Sequence, residues 1–205
     1  MKKHHVMLSL LIALQLLIVF RSAAQESSET RFVEQLRQTF ITACQCFDEK
    51  QYARAALIFA QLRGHYPQLQ DYIQFFLAES YRNAERPEDA LKELQQFLKV
   101  YPDHPLVFEA HFNAANLLVN LKRSAEALPL YQSLLSESAL NQGELYYKLG
   151  VAYREASNPQ QAVAALTQAV FFFPKHGFWQ EARKQLDLLL KKHPDFAITR
   201  TEETL

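Results

Sequence analysis

The sequence predicts an all-α protein, organised as an array of about four similar helix pairs followed by a closing helix. Glycine is scarce, with four residues in a chain of 205. Apolar residues recur at spacings of three and four over long stretches, which is the period of a helix. A pattern of small and large residues also recurs roughly every 35 residues, and a period of this length is typical of stacked repeats.

The repeat is defined by one alanine and by the residues at fixed distances from it. The alanine recurs in steps of 35, 37 and 35 residues, as Ala55, Ala90, Ala127 and Ala162. Four residues later stands a large side chain, which is Phe59, Leu94, Tyr131 or Leu166. Twelve residues earlier stands a small residue, which is Ala43, Ala78, Ala115 or Gly150. Because a small residue facing a large one lets two helices approach closely, each unit should be a helix, a tight turn and a second helix.

The register also places the boundaries of the units. We expect repeats at about residues 36–69, 71–104, 108–141 and 143–176, a lead-in at 25–35, a closing helix at 177–193 and a disordered polar tail at 195–205. The closing helix is needed because each repeat buries its face only against its neighbours.

Three positions in the second helices of the units carry their own expectations. Asn158 followed by Pro159 predicts a capped helix start, and Ser124 is a second candidate N-cap. Pro129 lies early in a predicted helix, where it removes a backbone hydrogen bond, so we expect a local kink there.

The amino terminus has the three-part pattern of a secretory signal peptide. Lys2 and Lys3 precede an apolar stretch at residues 6–20, and small residues follow at Ser22 and Ala24. Cleavage after Ala24 would leave 181 of the 205 residues, in the periplasm or outside the cell. The apolar stretch is shorter than the roughly 20 residues that a bilayer span needs. An uncleaved membrane anchor stays open as the alternative, and we expect no integral membrane segment in the mature chain.

Charge and cysteine content exclude several classes of protein. The mature chain would carry 19 basic and 22 acidic residues, which lacks the basic footprint of a nucleic-acid binder. Cys44 and Cys46 are the two cysteines, and on a helix they point about 200° apart, so they cannot readily bridge each other. Two free, partly buried thiols are expected, with an intermolecular disulfide as the alternative. No ligand spacing supports a metal site.

The fourth unit carries the clearest family resemblance. The run "YYKLGVAY" followed by Ala162, Leu166 and Pro174 resembles the tetratricopeptide repeat (TPR) pattern, which implies a right-handed superhelical array. More narrowly, "FLKVYPDHPLVFEAHFNAANLL" resembles exported bacterial TPR proteins of the cell envelope, such as outer-membrane assembly lipoproteins and the Tol-Pal-associated coordinator. "DYIQFFLAESYRN" is similar to the helical domain of soluble lytic transglycosylases. The chain departs from these groups because it has no lipid-anchor cysteine, no coiled-coil arm and no catalytic domain after the helices.

Motifs of catalysis are missing from the sequence. It contains no phosphate-binding glycine loop, no His-Glu-x-x-His and no Gly-x-Ser-x-Gly. Glu79 and Ser80 resemble the catalytic pair of a lytic transglycosylase, but the glycine-rich segment that should follow is missing, so we interpret them as part of a solvated helix face. We therefore expect a non-enzymatic protein without cofactors or metals.

The resemblance implies that the first helix of each pair lines a concave groove through its second, fifth, ninth, twelfth and thirteenth positions. The residues predicted there to contact a partner are Phe75, Glu79, Arg82, Asn83, Phe112, Asn116, Asn120, Tyr147 and Arg154. The fifth positions are all aromatic, and core packing and groove lining are equally open for each ring. An amide suits a peptide main chain because it donates and accepts, and arginine can hold a carboxylate by two parallel bonds. Asn113 falls between the groove and packing positions and has no assigned role.

These features predict an exported scaffold that binds a peptide or partner protein in its groove, in cell-envelope assembly or maintenance. The competing interpretation of the polar positions is an ordinary solvated face, since carboxylates lie among them. The alternative function is an accessory or fragment of a cell-wall-processing enzyme that engages peptidoglycan. Self-association into a homo-oligomer through the ends of the array is a third alternative.

Overall fold

The computed structural model describes residues 28–137, 142–174 and 177–196. The predicted signal peptide at residues 1–24 lies outside the described residues, as does the predicted tail apart from its first two residues.

The described part of the chain is helical and contains no strand, which confirms the predicted all-α fold. The first helix, α1, covers residues 28–48, so the predicted lead-in at 25–35 is already helical from residue 28. The following helices are α2 (Tyr52–Leu62), α3 (Gln70–Asn83), α4 (Pro87–Val100), α5 (Val107–Asn120), α6 (Ser124–Glu137), α7 (Gln142–Glu155), α8 (Pro159–Phe171) and α9 (Trp179–Lys192), with a short 3-10 helix at Pro67–Leu69.

The chain divides into two compact units, Met1–Ile73 and Gln74–Leu205. In the described part of the first unit, α1 and α2 form a helix pair. Phe40 of α1 packs edge-to-face on Phe59 of α2, with ring centroids 5.9 Å apart, and Ala43 and Ala55 are fully buried. Cys44 is half-buried and Cys46 is buried, which confirms the predicted burial, and the described residues form no disulfide with either thiol. Burial raises the pKa of Cys44, and the negative charge of Asp48 adds to this effect.

In the second unit each helix from α4 to α9 packs against the next one along the chain. In addition, α5 contacts α7 and α7 contacts α9, so the first helices of successive pairs also touch each other. Together with the part of α3 in this unit they form one surface. We call this surface, contributed by α3, α5, α7 and α9, the inner face.

The predicted packing register is confirmed in the second unit. Ala90, Ala127 and Ala162 are fully buried, and so are Leu94, Tyr131 and Leu166, which follow them by four residues. At Gly150 the two helices of the fourth pair approach too closely for a side chain. A Cβ atom there would lie 2.7 Å from Cγ of Leu166 and 3.3 Å from its backbone nitrogen, so the side chain of Leu166 occupies the space that an alanine would need.

The turns inside the four helix pairs share one geometry that the sequence did not suggest. Each contains a residue with positive φ, between 58° and 62°, which is Lys50, Glu85, Lys122 or Ser157. These positions repeat in the same steps of 35, 37 and 35 residues. The next residue donates its backbone N–H to a carbonyl five positions earlier, as from Asn158 to Tyr153 at 2.8 Å. This is the Schellman arrangement that ends a helix, and glycine is its usual residue at the left-handed position.

The predicted caps are only partly correct. Asn158 does occupy the N-cap position of α8 and Pro159 its first turn, but the Asn158 side chain makes no capping hydrogen bond. Ser124 is the first residue of α6 rather than its cap, and its buried hydroxyl has no hydrogen-bond partner in the described regions. The prediction for Ser124 is therefore wrong, because the helix begins one residue earlier than a cap there would require. The helix α6 continues through Pro129 to Glu137.

Gly150→Ala should destabilise the protein by roughly 1–3 kcal/mol, because the added methyl group overpacks the contact with Leu166. Urea unfolding monitored by circular dichroism would measure the change. Gly177→Ala is the matched control, since a Cβ atom there meets nothing within 4 Å. Equal stability of the two variants would contradict the close contact.

Ser157→Gly should stabilise the protein by about 1 kcal/mol, because glycine adopts the left-handed conformation without the penalty that a side chain brings. Ser157→Ala keeps a Cβ atom and should give no such gain. Thermal unfolding of the two variants side by side tests this, and a lower midpoint for the glycine variant would show that the turn is unstrained.

Candidate functional site

The inner face is polar along α3 and α5, where the carboxylate of Glu79 is hydrogen-bonded to side chains of both helices. This side chain is buried, with the residue only 7% exposed. Its two oxygens accept hydrogen bonds from the guanidinium of Arg82, the shortest being 2.6 Å from Nη2 to Oε2. A buried carboxylate is costly unless it is paired and hydrogen-bonded, and Glu79 meets both conditions.

Asn113 supplies the second partner of Glu79. Its Nδ2 donates to Oε1 of Glu79 at 2.8 Å, across a separation of 34 residues, which joins α5 to α3. The same nitrogen lies 3.3 Å from Oε1 of Glu109 on its own helix. Asn113 is 5% exposed. The residue that the sequence left without a role therefore links two neighbouring repeats at the floor of the inner face.

The interpretation of Glu79 and Ser80 as a solvated helix face is wrong. Ser80 is fully buried, and its hydroxyl donates to the carbonyl of Phe76 at 2.7 Å. Glu79 is turned inward by its bonds to Arg82 and Asn113, so it forms the floor of the site and leaves Arg82 as the more accessible of the pair. Asn83 is half-buried, and its Nδ2 donates to the backbone carbonyl of Glu79 at 2.8 Å.

The oxygen and the nitrogen of the Asn116 side-chain amide differ in their contacts. Its Oδ1 accepts a hydrogen bond of 2.9 Å from the hydroxyl of Tyr131 on α6. Tyr131 is buried, which raises the pKa of its hydroxyl, and the charge of Glu144 raises it further. The amide N–H groups of Asn116 make no hydrogen bond within the described residues. One turn further along α5, Asn120 is exposed, and it too makes no side-chain hydrogen bond in the part of the chain that the structure describes.

The fifth-position aromatic rings all pack against an aromatic ring from a neighbouring element. Phe75 is 5% exposed and contacts Phe97 at 5.6 Å between centroids, so the prediction that it contacts a partner is corrected to a core role. Phe112 is half-buried and meets Tyr131 edge-to-face at 6.3 Å. Tyr147 is half-buried and stacks on Phe178 at 5.2 Å. Burial raises the pKa of Tyr147, and Glu181 contributes to this.

At α7 and α9 the inner face carries a second neutralised arginine. Arg154 donates to Gln185 of α9, and its Nη2 donates to Glu155 at 2.7 Å. Gln185 in turn donates to Glu181 at 2.7 Å. The hydrogen bond from Arg154 is the main cause of a lowered pKa at Glu155, and Lys122 contributes to it. Arg154 thus ties α7 to the closing helix.

Sequence reasoning missed Asn113, Gln185 and the hydroxyl of Tyr131. A signal for Asn113 did exist, because it follows Glu79 by 34 residues, close to one repeat, and such residues lie on neighbouring first helices. Gln185 stands in the same relation to Arg154, at a distance of 31 residues.

In the ranges 28–137, 142–174 and 177–196, no group of three or more histidine, cysteine, aspartate or glutamate side chains is placed to hold a metal ion. None of the helices described has the length and apolar character needed to span a bilayer.

Comparison with known proteins identifies the repeats. Two family models, both described as tetratricopeptide repeat, match residues 75–144 and 144–176. The comparison with curated proteins gave no match. Residues 75–176 therefore carry tetratricopeptide repeats.

Solved structures share the fold. MamA from Desulfovibrio magneticus RS-1, residues 41 to the end, has a TM-score of 0.67 at 17% identity, covering 82% of this chain and 88% of that one. The TPR-like repeats of a putative kinesin light chain from Podosopora anserina have a TM-score of 0.61 at 18% identity, covering 80% and 91%. At identities this low the likeness concerns the fold alone.

Proposed function

We propose that this protein is a non-enzymatic scaffold that binds an extended peptide segment of a partner protein on its inner face. The observation that carries the proposal is the pair of amides on α5. Asn116 and Asn120 lie on one face of the helix, and their N–H groups make no hydrogen bond within the described residues.

The spacing of the two amides fits a peptide main chain. Residues four apart on a helix are about 6 Å apart along its axis. An extended chain advances about 6.6 Å for every two residues. Two carbonyl groups on the same edge of an extended segment would therefore lie within reach of both amides.

The enzyme-like pair Glu79 and Ser80 is bonded within the protein, and this supports the non-enzymatic proposal. The carboxylate of Glu79 is held by Arg82 and Asn113, and the hydroxyl of Ser80 is bonded within its own helix. A general acid or nucleophile must reach a substrate, and neither group of this enzyme-like pair is free to do so.

The segment at residues 1–24 is the basis for proposing an exported protein that acts in cell-envelope assembly or maintenance. Expression of the full chain in a bacterial host, followed by mass spectrometry of the periplasmic fraction, should give a chain that begins at Gln25. Recovery of the full-length chain in the membrane fraction would contradict cleavage and favour an uncleaved anchor.

The peptide-binding proposal is tested with two substitutions that separate binding from stability. Asn116→Asp still accepts the hydrogen bond from Tyr131 but loses the N–H donors, and Asn120→Ala changes an exposed side chain. Peptides selected by wild-type protein from a phage-displayed random dodecapeptide library serve as the probes. The double variant should bind them about 5- to 150-fold more weakly, since each lost hydrogen bond contributes about 0.5–1.5 kcal/mol and the two together about 1–3 kcal/mol.

Two control variants accompany the measurement. Tyr131→Phe removes the hydroxyl that Asn116 accepts from and keeps the N–H donors, so it should leave the affinity unchanged. Asn158→Ala makes the same type of change outside the inner face and should also have no effect. Failure to select any peptide, or unchanged affinity of the double variant, would overturn the proposed function.

A further inference from the structure

Both arginines of the inner face are already paired with a carboxylate of this chain. Arg82 makes an ion pair with Glu79 at 2.6 Å, and Arg154 makes one with Glu155 at 2.7 Å. The sequence suggested that these arginines would bind a carboxylate of the partner. In the structure a glutamate of the same helix already occupies the place of a partner carboxylate. It is Glu79 for Arg82 and Glu155 for Arg154.

Glu79 is fixed more firmly than an ordinary surface counter-ion. Surface ion pairs on a helix exchange readily with water and are weak. The side chain of Glu79 is 9% exposed, against 38% for that of Arg82, and Asn113 holds its Oε1 from the next repeat. Arg82 is therefore the more exposed member of the pair, and the buried carboxylate of Glu79 compensates its charge.

We propose that Glu79 is a specificity-determining residue, a built-in counter-ion that occupies the place of a ligand carboxylate on Arg82. The inner face then binds peptide segments through neutral main-chain acceptors and disfavours acidic segments. This inference rests on the proposed function, because it names the class of peptide that the same face selects.

A role in stability alone does not account for this arrangement. A buried ion pair is weak evidence for stabilisation, because desolvation of the charges offsets their attraction. Glu109 also lies within hydrogen-bond reach of Asn113, but among the bonds of the described residues only Glu79 pairs with Arg82. A carboxylate that approached Arg82 would meet the negative charge of Glu79, and specificity is often achieved by such repulsion.

The experiment compares Glu79→Gln with wild-type protein. Through its one oxygen the glutamine can still accept from Asn113 and from Nε of Arg82, as Oε1 of Glu79 does. Its NH2 group replaces the oxygen that accepts from Nη2 of Arg82, so Arg82 loses that bond together with its counter-ion. Two fluorescein-labelled, amidated random decapeptide pools are the probes. One contains Ala, Ser, Thr, Leu and Asn, and the other has Glu at four of its ten positions. Binding is followed by fluorescence anisotropy at about 20 mM and about 500 mM salt.

Wild-type protein should bind the neutral pool more tightly than the acidic pool, with little dependence on salt. Glu79→Gln should raise the affinity for the acidic pool about tenfold at low salt, and the gain should disappear at high salt, where charges are screened. Arg82→Gln in combination with Glu79→Gln should abolish the gain, because the uncompensated cation is then absent.

Glu109→Gln is the matched control. It makes the same change of charge on the same face, but this carboxylate is not a partner of Arg82 among the bonds of the described residues. An equal gain in this variant would overturn the inference in favour of a general effect of net charge. An unchanged ratio of the affinities for the two peptide pools in Glu79→Gln would also overturn the inference. After either result, continued binding of the neutral pool would leave the proposed function standing.

Discussion

The close approach of the two helices in each pair is the constraint on which the rest of the second unit depends. At Gly150 there is no room for a Cβ atom beside Leu166, and Ala78 and Ala115 are fully buried at the equivalent positions. Because the small residue of the first helix must face the second helix of the pair, the rotation of the first helix about its own axis is fixed. Glu79 and Asn116, each the next residue after that contact, are therefore turned by about 100° away from it, toward the inner face.

Much of the fold could be predicted because it depends on contacts that repeat with the sequence. The alanine at Ala90 and its equivalents, and the large residue four positions later, identify the helix pairs without any knowledge of their geometry. The left-handed turn residues could not be predicted in this way. Lys122 and Ser157 are ordinary polar residues in a turn, and their conformation follows from how the two helices are joined. The cap at Ser124 failed for a related reason, since helix starts are local and shift by one residue at little cost.

The site was less predictable than the fold because it depends on distances between repeats. Glu79 looked solvated, since a glutamate next to an arginine on a helix is usually an exposed pair. Its burial follows from Asn113, which comes from the next repeat and reaches it only when the two helices are stacked. For Phe75 the error was the opposite one, because a residue predicted to contact a partner is buried. Its helical position allowed either a groove or a core role, and the presence of Phe97 at the facing helix decided for the core.

The three asparagines of α5 differ in the contacts that offset their cost to the helix. Asparagine disfavours the helix interior because its side chain competes for backbone hydrogen bonds, so each must be offset by another contact. Asn113 is offset by its buried bonds to carboxylates, and Asn116 by the hydroxyl of Tyr131, which would otherwise be buried without a partner. Asn120 has no such contact among the described residues. Arg82 and Arg154 are compensated inside the chain, whereas the N–H groups of Asn116 and Asn120 are neutral donors that make no hydrogen bond within the described residues. On the proposed function, such a face would bind its ligand through the main chain and disfavour acidic segments.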